Sequence, residues 1–543
     1  MTAPGQPTSL FPVPLIQPGF FGFNYANAAS TSLGPEWALT CTNAYFDTSG
    51  RLAARRGWLN LTSSPISGTP TIQQVFEYIK GDGTTAIISA ANNKLYSGTT
   101  APSDITGAVT ITANNWQFQN WNDKVVGWQK SHTPIVWTGA GNFATITAAS
   151  GSLPTGNCVC AAFGRLWALD SDNNTIKYCG LLDETNWGAA GSGSINMRSI
   201  WTRGTDQVVG IVAIGANLVV FGTRHIVLFT DGRGSTLGLD PAQMYVGDTI
   251  EGTGLLSRDT AVPEGTGDLL FLSPTGLQSL GRVLQSKSNP TQSLDLHVWD
   301  YISPLYAIET AANVRALYSP ADKFYLLILP TTKEVFCYDT RRPITGSPLV
   351  MDGSLRVTEW TSMGPQCGIT RADRTVVFGF AGGVLGQHTG YNDNTSNTYT
   401  FTYLSPNLAL ASDNPQTNLE NKLKIPKRLG GTIFTRAATQ LLASWGYDFQ
   451  GLRYSQSTPL TGSLIPEYGT AEYGTNGKYS TADLSAIAGV NYSEYAGAAT
   501  LRIIKVPMSS SGRWLQLGLQ TTINSSDFAI QEIDVYLKAG VTV

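Results

Sequence analysis

The chain has 543 residues, of which 13% are charged, and a formal net charge of −3. That length can bury a large core and holds two to four domains, or one repeat domain with a smaller companion. The balance excludes a globally basic nucleic-acid binder and an acidic disordered tail, and the low charge implies surfaces covered by neighbours or by hydroxyl groups.

The first residues, MTAPGQPTSLFPVPLIQPGFFGF, lack a basic leader region, and Pro12, Pro14 and Pro18 interrupt the apolar stretch, so no secretory signal is expected. With no run of 18 apolar residues, no membrane-spanning segment is expected either. The expected place of maturation is a cytosol. Residues 1–36 read as an extended, proline-rich arm. Its apolar side chains, Leu10 to Phe23, favour an ordered arm that closes the fold or reaches a neighbouring subunit. Residues 37–62 read as a short helical turn followed by a hairpin at Ser49-Gly50.

A strand-turn-strand unit then recurs about seven times between Ile87 and Leu385. The copies are AIISAANNKLYSG, KVVGWQKSHTPIVWTG, RLWALDSDNNTIKYCG, NLVVFGTRHIVLFTDG, DLLFLSPTGLQSLG, KFYLLILPTTKEVFCYD and TVVFGFAGGVLGQHTG. A period of roughly 40–50 residues with paired strands marks radial sheets around an axis. The fold class is therefore all-β, with residues 37–390 forming a β-propeller of about seven blades, six to eight being allowed. The widest gaps are 233–262 and 286–313, and Leu294–Ile302 in the second reads as a short helix. From Tyr391 the strands alternate and are divided by Gly, Ser and Asn turns, so residues 391–543 read as a C-terminal antiparallel β-sandwich. Residues 464–496 form a Tyr/Gly-rich loop within it.

No nucleophile elbow, phosphate loop, HExxH or GxGxxG is present. The four histidines, His132, His225, His297 and His388, do not share metal-ligand spacing; His132 and His225 fall at hairpin turns. Asp170, Asp172 and Asn174 alternate like a calcium loop but lack its glycine and terminal glutamate, so an Asp/Asn hairpin turn is the better reading. The six cysteines are too few for a disulfide scaffold and read as reduced and buried. No catalytic, cofactor-binding or metal-binding residue is expected, and no enzyme activity. The clearest basic cluster is Lys422, Lys424, Lys427 and Arg428, read either as contact with phosphate or an acidic partner or as lysines guarding an edge strand. Arg51, Arg55 and Arg56 read the same way. Tyr468 and Tyr473, with Tyr479, Tyr492 and Tyr495, form a sugar- or protein-binding surface or else stabilise their own loop.

The hairpin NAYFDTSGRLAARRGW, the array containing GRLWALDSDNNTIKYCG, NLVVFGTRHIVLF and LLFLSPTGLQSLG, and the closing SGRWLQLGLQTTINSSDFAIQEIDVYLKAG together resemble the tail nozzle proteins of short-tailed bacteriophages, also described as tail tubular or head-stabilisation proteins. The resemblance runs over residues 20–540. It implies a virion tail protein assembled in the host cytoplasm: a homo-oligomeric ring, a hexamer in that family, below portal and adaptor proteins. Such a ring retains and conducts double-stranded DNA and docks tail fibres or spikes. The alternative is a glycan-binding or glycan-degrading propeller, a lectin or depolymerase, to which the tyrosines and hydroxyl residues would belong.

Overall fold

The computed structural model describes residues 10–542 except 17–19, 26–32, 203, 233–238, 266, 287–292, 346–352, 411–419, 421, 436–438, 461–471, 474–478 and 481–499. The chain divides into two compact units. One comprises residues 59–357 and 361–388; the other comprises 1–58, 358–360 and 389–543.

The first unit is a seven-bladed β-propeller. The seven sequence hairpins are the second and third strands of the seven blades: Thr85–Ala91 with Lys94–Ser97, Lys124–Trp128 with Ile135–Trp137, Arg165–Leu169 with Thr175–Tyr178, Asn217–Gly222 with His225–Asp231, Leu269–Ser273 with Gly276–Ser279, Phe324–Leu329 with Glu334–Asp339, and Val376–Gly379 with Leu385–His388. The innermost strands, Gln74–Ile79, Gln117–Trp121, Val159–Ala162, Val208–Ile214, Val262–Pro263, Arg315–Ser319 and Cys367–Thr370, follow one another around the ring, and the seventh returns to the first. Among the described residues blade five has three strands. The outermost strand of blade seven is Trp58–Asn60, which precedes every other blade strand in the chain.

The apolar runs are continuous because both faces of each blade are buried. Along a strand the faces alternate. In blade one Ile88 and Ala90 pack with Trp116, Phe118 and Val125 of blade two, whereas Ile87 and Ala91 pack with Cys367, Val377 and Leu385 of blade seven. In blade three Trp167 and Leu169 face blade four, and Leu166 and Ala168 face blade two. In blade four Leu218 and Val220 look back while Val219 and Phe221 look forward. Each such Val, Leu, Ile or Phe side chain contributes about 1.5–3 kcal/mol on burial, so a polar residue on either face is costly.

The turns follow from their residues. Asn92 and Asn93 both take positive φ, 50° and 54°, between paired Ala91 and Lys94, the geometry a two-residue hairpin turn needs and Asn tolerates. Four Asp-x-Thr sequences fix other turns. The carboxylates of Asp82, Asp104, Asp183 and Asp373 each accept the backbone N–H of the threonine two residues on, at 2.9 Å.

The second unit is a β-sandwich. One sheet runs Thr500–Pro507, Lys422–Thr435, Phe528–Thr542, Leu52–Ala54, Ala44–Phe46, and Phe11–Ile16 also pairs with Phe528–Thr542. The other carries Thr40–Thr42, Tyr399–Leu404, Leu515–Ile523, Thr439–Tyr447 and Tyr454–Leu460 in that order.

Four expectations are corrected here. The arm does not close the propeller. Phe11 to Ile16 pairs antiparallel with Leu537 to Ile533, and Leu15 and Ile16 are buried at 2% and 0% exposure. Phe20 and Phe23 are buried too, whereas Leu10 is exposed. Residues 37–58, expected in the propeller, belong to the sandwich unit, and the hairpin at Ser49-Gly50 pairs there, Ala44 opposite Ala54. The expected helical turn at Trp37 is two short strands, Trp37–Ala38 and Thr40–Thr42. The helix expected at Leu294–Ile302 occupies Trp299–Ile308 instead. The Tyr/Gly-rich loop lies outside the described residues apart from the paired strands Glu472–Tyr473 and Tyr479–Ser480.

Candidate functional site

The inner strands of a propeller leave one backbone edge facing the axis, and those polar groups need partners. Here side chains supply them. Asn120 accepts from the Ile79 amide at 3.1 Å and donates to the Glu77 carbonyl at 3.0 Å, splicing blades one and two. Gln117 accepts from the Val159 amide at 2.7 Å, splicing two and three. The Glu77 carboxylate accepts from Arg371 Nε at 3.0 Å and the Ala372 amide at 2.6 Å, splicing seven and one.

Across the axis lies a charged hub. Arg258 and Asp259 sit in the short 3-10 turn Arg258–Thr260 that leads into blade five. Asp259 Oδ2 lies 2.7 Å from Arg258 Nη2 and 2.8 Å from Arg315 Nη1. Arg258 also donates to the carbonyls of Asn157 and, at 3.2 Å, Asn115, which precede the inner strands of blades three and two. Arg315 opens the inner strand of blade six and donates from Nε to Gln74 Oε1 of blade one at 2.9 Å. Several of these partners belong to non-adjacent blades, so the hub spans the axis and ties five blades together. Burial works against the Asp259 charge, but Arg258 and then Arg315 pull its carboxyl below the usual carboxylate range.

On the face where the inner strands begin, a shallow open groove is lined by Gln73, Asn313, Pro330, Thr331 and Gln366. Its walls are fixed from behind. Arg315 Nη1 donates to the Ala312 and Val314 carbonyls at 2.6 and 3.2 Å, on either side of Asn313. Glu309 accepts the Thr331 and Thr332 amides at 3.0 and 2.9 Å. Gln366 Nε2 donates to the Pro330 carbonyl at 3.2 Å. The side-chain carboxamides of Gln73 and Asn313 have no hydrogen-bond partner among the described residues.

The basic cluster does not form one surface. Lys422–Thr435 is an interior strand, paired with Phe528–Thr542 on one side and, from Arg428 onward, with Thr500–Pro507 on the other. Lys422, Lys424 and Lys427 precede that second pairing, with Lys424 bridged to Gly512. Register shifts between Lys422 and Lys424 and between Pro426 and Arg428 break the alternation that would put the cations on one face. Lys424 is fully buried, and its Nζ donates to the Arg513 carbonyl. Burial, with Arg513 beside it, lowers its pKa to about 8. Lys422 is half-buried opposite Thr542. Arg428 is half-buried over the Tyr536 ring, 4.1 Å from its centroid. Lys427 is exposed. Tyr468 lies outside the described residues, and Tyr473 is placed only as a strand residue opposite Tyr479.

Arg55 is not a surface cation either. It is 0% exposed, its Nε donates to Asn43 Oδ1 at 2.9 Å, and its guanidinium lies 4.0 Å from the Tyr399 ring centroid. Arg51 pairs with Asp47 at 2.6 Å. His132 is a satisfied turn residue, with Thr112 Oγ1 and the Lys130 carbonyl at 2.7 and 2.9 Å. His225 is buried beside Asp206, Nδ1 to Oδ2 2.8 Å. Asp172 accepts the Asn174 and Thr175 amides at 3.0 and 2.8 Å, and Asp170 pairs with Lys177 at 2.7 Å, so this turn is closed by its own chain. All six cysteines are free and buried, and burial pushes the Cys158 thiol up to about 12. Among the described residues no three His, Cys, Asp or Glu side chains group as metal ligands.

The hub and the groove were missed in sequence because their residues sit at strand starts and in turns rather than within the apolar runs. The available signal was a charged Arg258-Asp259 pair at the lip of an inner strand, inside the 233–262 gap.

No protein-family model matches the chain, and no curated protein matches it. Its fold is shared at low identity with solved β-propellers. The extracellular domain of a one component system from B. thetaiotaomicron is 11% identical over 62% of this chain and 40% of that one, with a TM-score of 0.37. This chain thus spans less than half of that protein's length. A streptogramin B lyase is 10% identical over 61% of this chain and 96% of that one, TM-score 0.34. The WD40 β-propeller domain of Doa1 is 11% identical over 61% and 96%, TM-score 0.35. Such values carry no activity or partner over to this chain.

Proposed function

We propose that the chain is a structural protein of a short-tailed phage tail, a subunit of an oligomeric nozzle ring below portal and adaptor that holds and conducts double-stranded DNA and docks fibres or spikes. The observation that carries this reading is where the phrases resembling nozzle proteins fall. NAYFDTSGRLAARRGW is the hairpin within the sandwich, the repeats are the blades, and the closing phrase supplies the strands Leu515–Ile523 and Phe528–Thr542. The propeller serves as a wall. Its axis is crossed by the Arg258–Asp259–Arg315 hub, so DNA would run between copies of the chain and not through a propeller. A single exposed lysine in the 422–428 stretch suits a conduit, because many phosphate contacts would hold DNA tightly.

Electron microscopy of the purified protein and labelling of virions test this. Rings, with antibody label at the tail, are expected. A monomer under all conditions, absent from particles, would sink the reading.

A glycan-binding propeller is the second reading, favoured by the groove of unpartnered carboxamides. A glycan array run on isolated subunits separates it from the first.

A further inference from the structure

We infer that the groove bounded by Gln73, Asn313, Pro330, Thr331 and Gln366 is a binding site for a neutral saccharide residue, set at the mouth of the propeller axis. The inference does not depend on ring formation: a wall protein and a lectin could both carry the site.

The chemistry of the lining selects the ligand. A carboxamide offers two donors and one acceptor carbonyl, which matches vicinal hydroxyls that both give and take hydrogen bonds. Gln73 and Asn313 hold this capacity unused, and Gln366 spends its Nε2 on the Pro330 carbonyl while its Oε1 remains. Thr331 adds an exposed hydroxyl at the rim. Pro330 is the apolar member of the lining and is itself buried.

Charge argues against an ionic ligand. No Lys, Arg, Asp or Glu lines the groove. Behind the lining, Arg315 and Arg258 both pair with Asp259, and Glu309 accepts the Thr331 and Thr332 amides. Within the lining itself an anion would meet no cation, and a cation no carboxylate.

The geometry is preformed. Arg315 fixes the segment bearing Asn313 and, through Gln74, the strand that follows Gln73; Glu309 fixes the Thr331 turn. Three amide side chains from blades one, six and seven are thereby aimed around one groove before any ligand arrives, which lowers the ordering cost of binding.

Calorimetry and saturation-transfer NMR on the full chain test the site. The probes are the methyl glycosides of glucose, galactose, mannose and N-acetylglucosamine, with glucuronic acid and inorganic phosphate as charged controls. At least one neutral glycoside should bind saturably. A Gln73→Ala/Asn313→Ala double variant should weaken it tenfold or more while keeping the parent's thermal midpoint, since neither side chain has a hydrogen-bond partner among the described residues. Should that variant unfold, Thr331→Arg blocks the rim from an exposed position and should abolish the same binding. The inference is overturned if no neutral glycoside saturates, if binding survives the variants, or if phosphate or glucuronate binds more tightly than every neutral probe. Each of these outcomes leaves the ring reading untouched, because that reading is decided by microscopy.

Discussion

The Arg55 guanidinium meets the Asp393 carboxylate through two parallel hydrogen bonds, Nη1 to Oδ1 at 2.8 Å and Nη2 to Oδ2 at 2.7 Å, across 338 residues of sequence. Both residues belong to the sandwich unit. Arg55 lies just before the chain leaves that unit and Asp393 just after it returns. Removing one partner leaves a buried charge alone, so Arg55→Ala or Asp393→Asn should cost about 3–5 kcal/mol in urea unfolding. Replacing both with apolar residues of similar size should cost much less. Equal losses in the single and double variants would refute the pairing argument.

The axial hub makes a parallel prediction. Asp259→Asn leaves Arg258 and Arg315 facing each other in a largely buried site. We expect destabilisation of about 3–5 kcal/mol and faster proteolysis within residues 59–388. Lowering the charge again with Arg258→Met in the same chain should recover part of the loss. A neutral outcome for Asp259→Asn would show that water, and not the ion triad, fills the axis.

Asp295 gives the protein a pH signature. It is fully buried, with Oδ1 accepting the Leu277 amide at 2.9 Å and Oδ2 the Tyr338 hydroxyl at 3.1 Å. Burial raises its pKa from 3.8 to about 7 despite those bonds. Because the folded value is raised, the stabilisation is complete below the unfolded value and is lost as pH rises through about 7. Asp295→Asn should therefore remove a downward slope in stability between pH 4 and 7 and gain most at pH 8. His297 is pushed the other way by burial, to about 3. Its contribution is present above 6.5 and lost as pH falls towards 3. Subtracting the variant's thermal midpoints from the parent's isolates the Asp295 part; a flat difference would exclude the assignment.

The lysines of the 422–428 stretch should separate in DNA binding. Lys427→Ala should lower the salt slope of non-specific duplex binding by about 1, with little change in stability. Lys424→Met should leave the slope unchanged, since that ammonium is buried. If both variants shift the slope alike, Lys424 reaches solvent and the register described above is wrong.

The sequence disclosed the blades through their second and third strands, because these are buried on both faces and write themselves as apolar runs such as LVVF and FYLLIL. The outer strands stayed hidden: Ser103–Asp104 and Ala144–Thr145 are exposed on both residues and carry no periodic signal. The split of the sandwich between the chain's two ends was equally hidden. FPVPLI looks the same whether it pairs with a neighbour or with its own chain's last strand, and its partner, Phe528–Thr542, lies over 500 residues away. For Arg55 and Lys424, type and spacing indicated cations at a surface. Burial was decided by Asp393 and by the bulged register, neither of which is local. The groove's amides gave no signal, because Gln and Asn before a strand are ordinary loop residues.

The strand Trp58–Asn60 has a consequence for synthesis. It is the outer strand of the last blade, yet it leaves the ribosome before any other blade strand, and its neighbour Leu385–His388 follows after more than 300 further residues. At the ~5–20 residues per second of translation, this strand waits roughly 15–65 s for its partner. For all that time blade seven is incomplete, and the strand edge it will cover is still unmade. Ring closure is thus the last event of the propeller's birth, and chaperones have their longest opportunity on the segment that the finished molecule uses as its clasp.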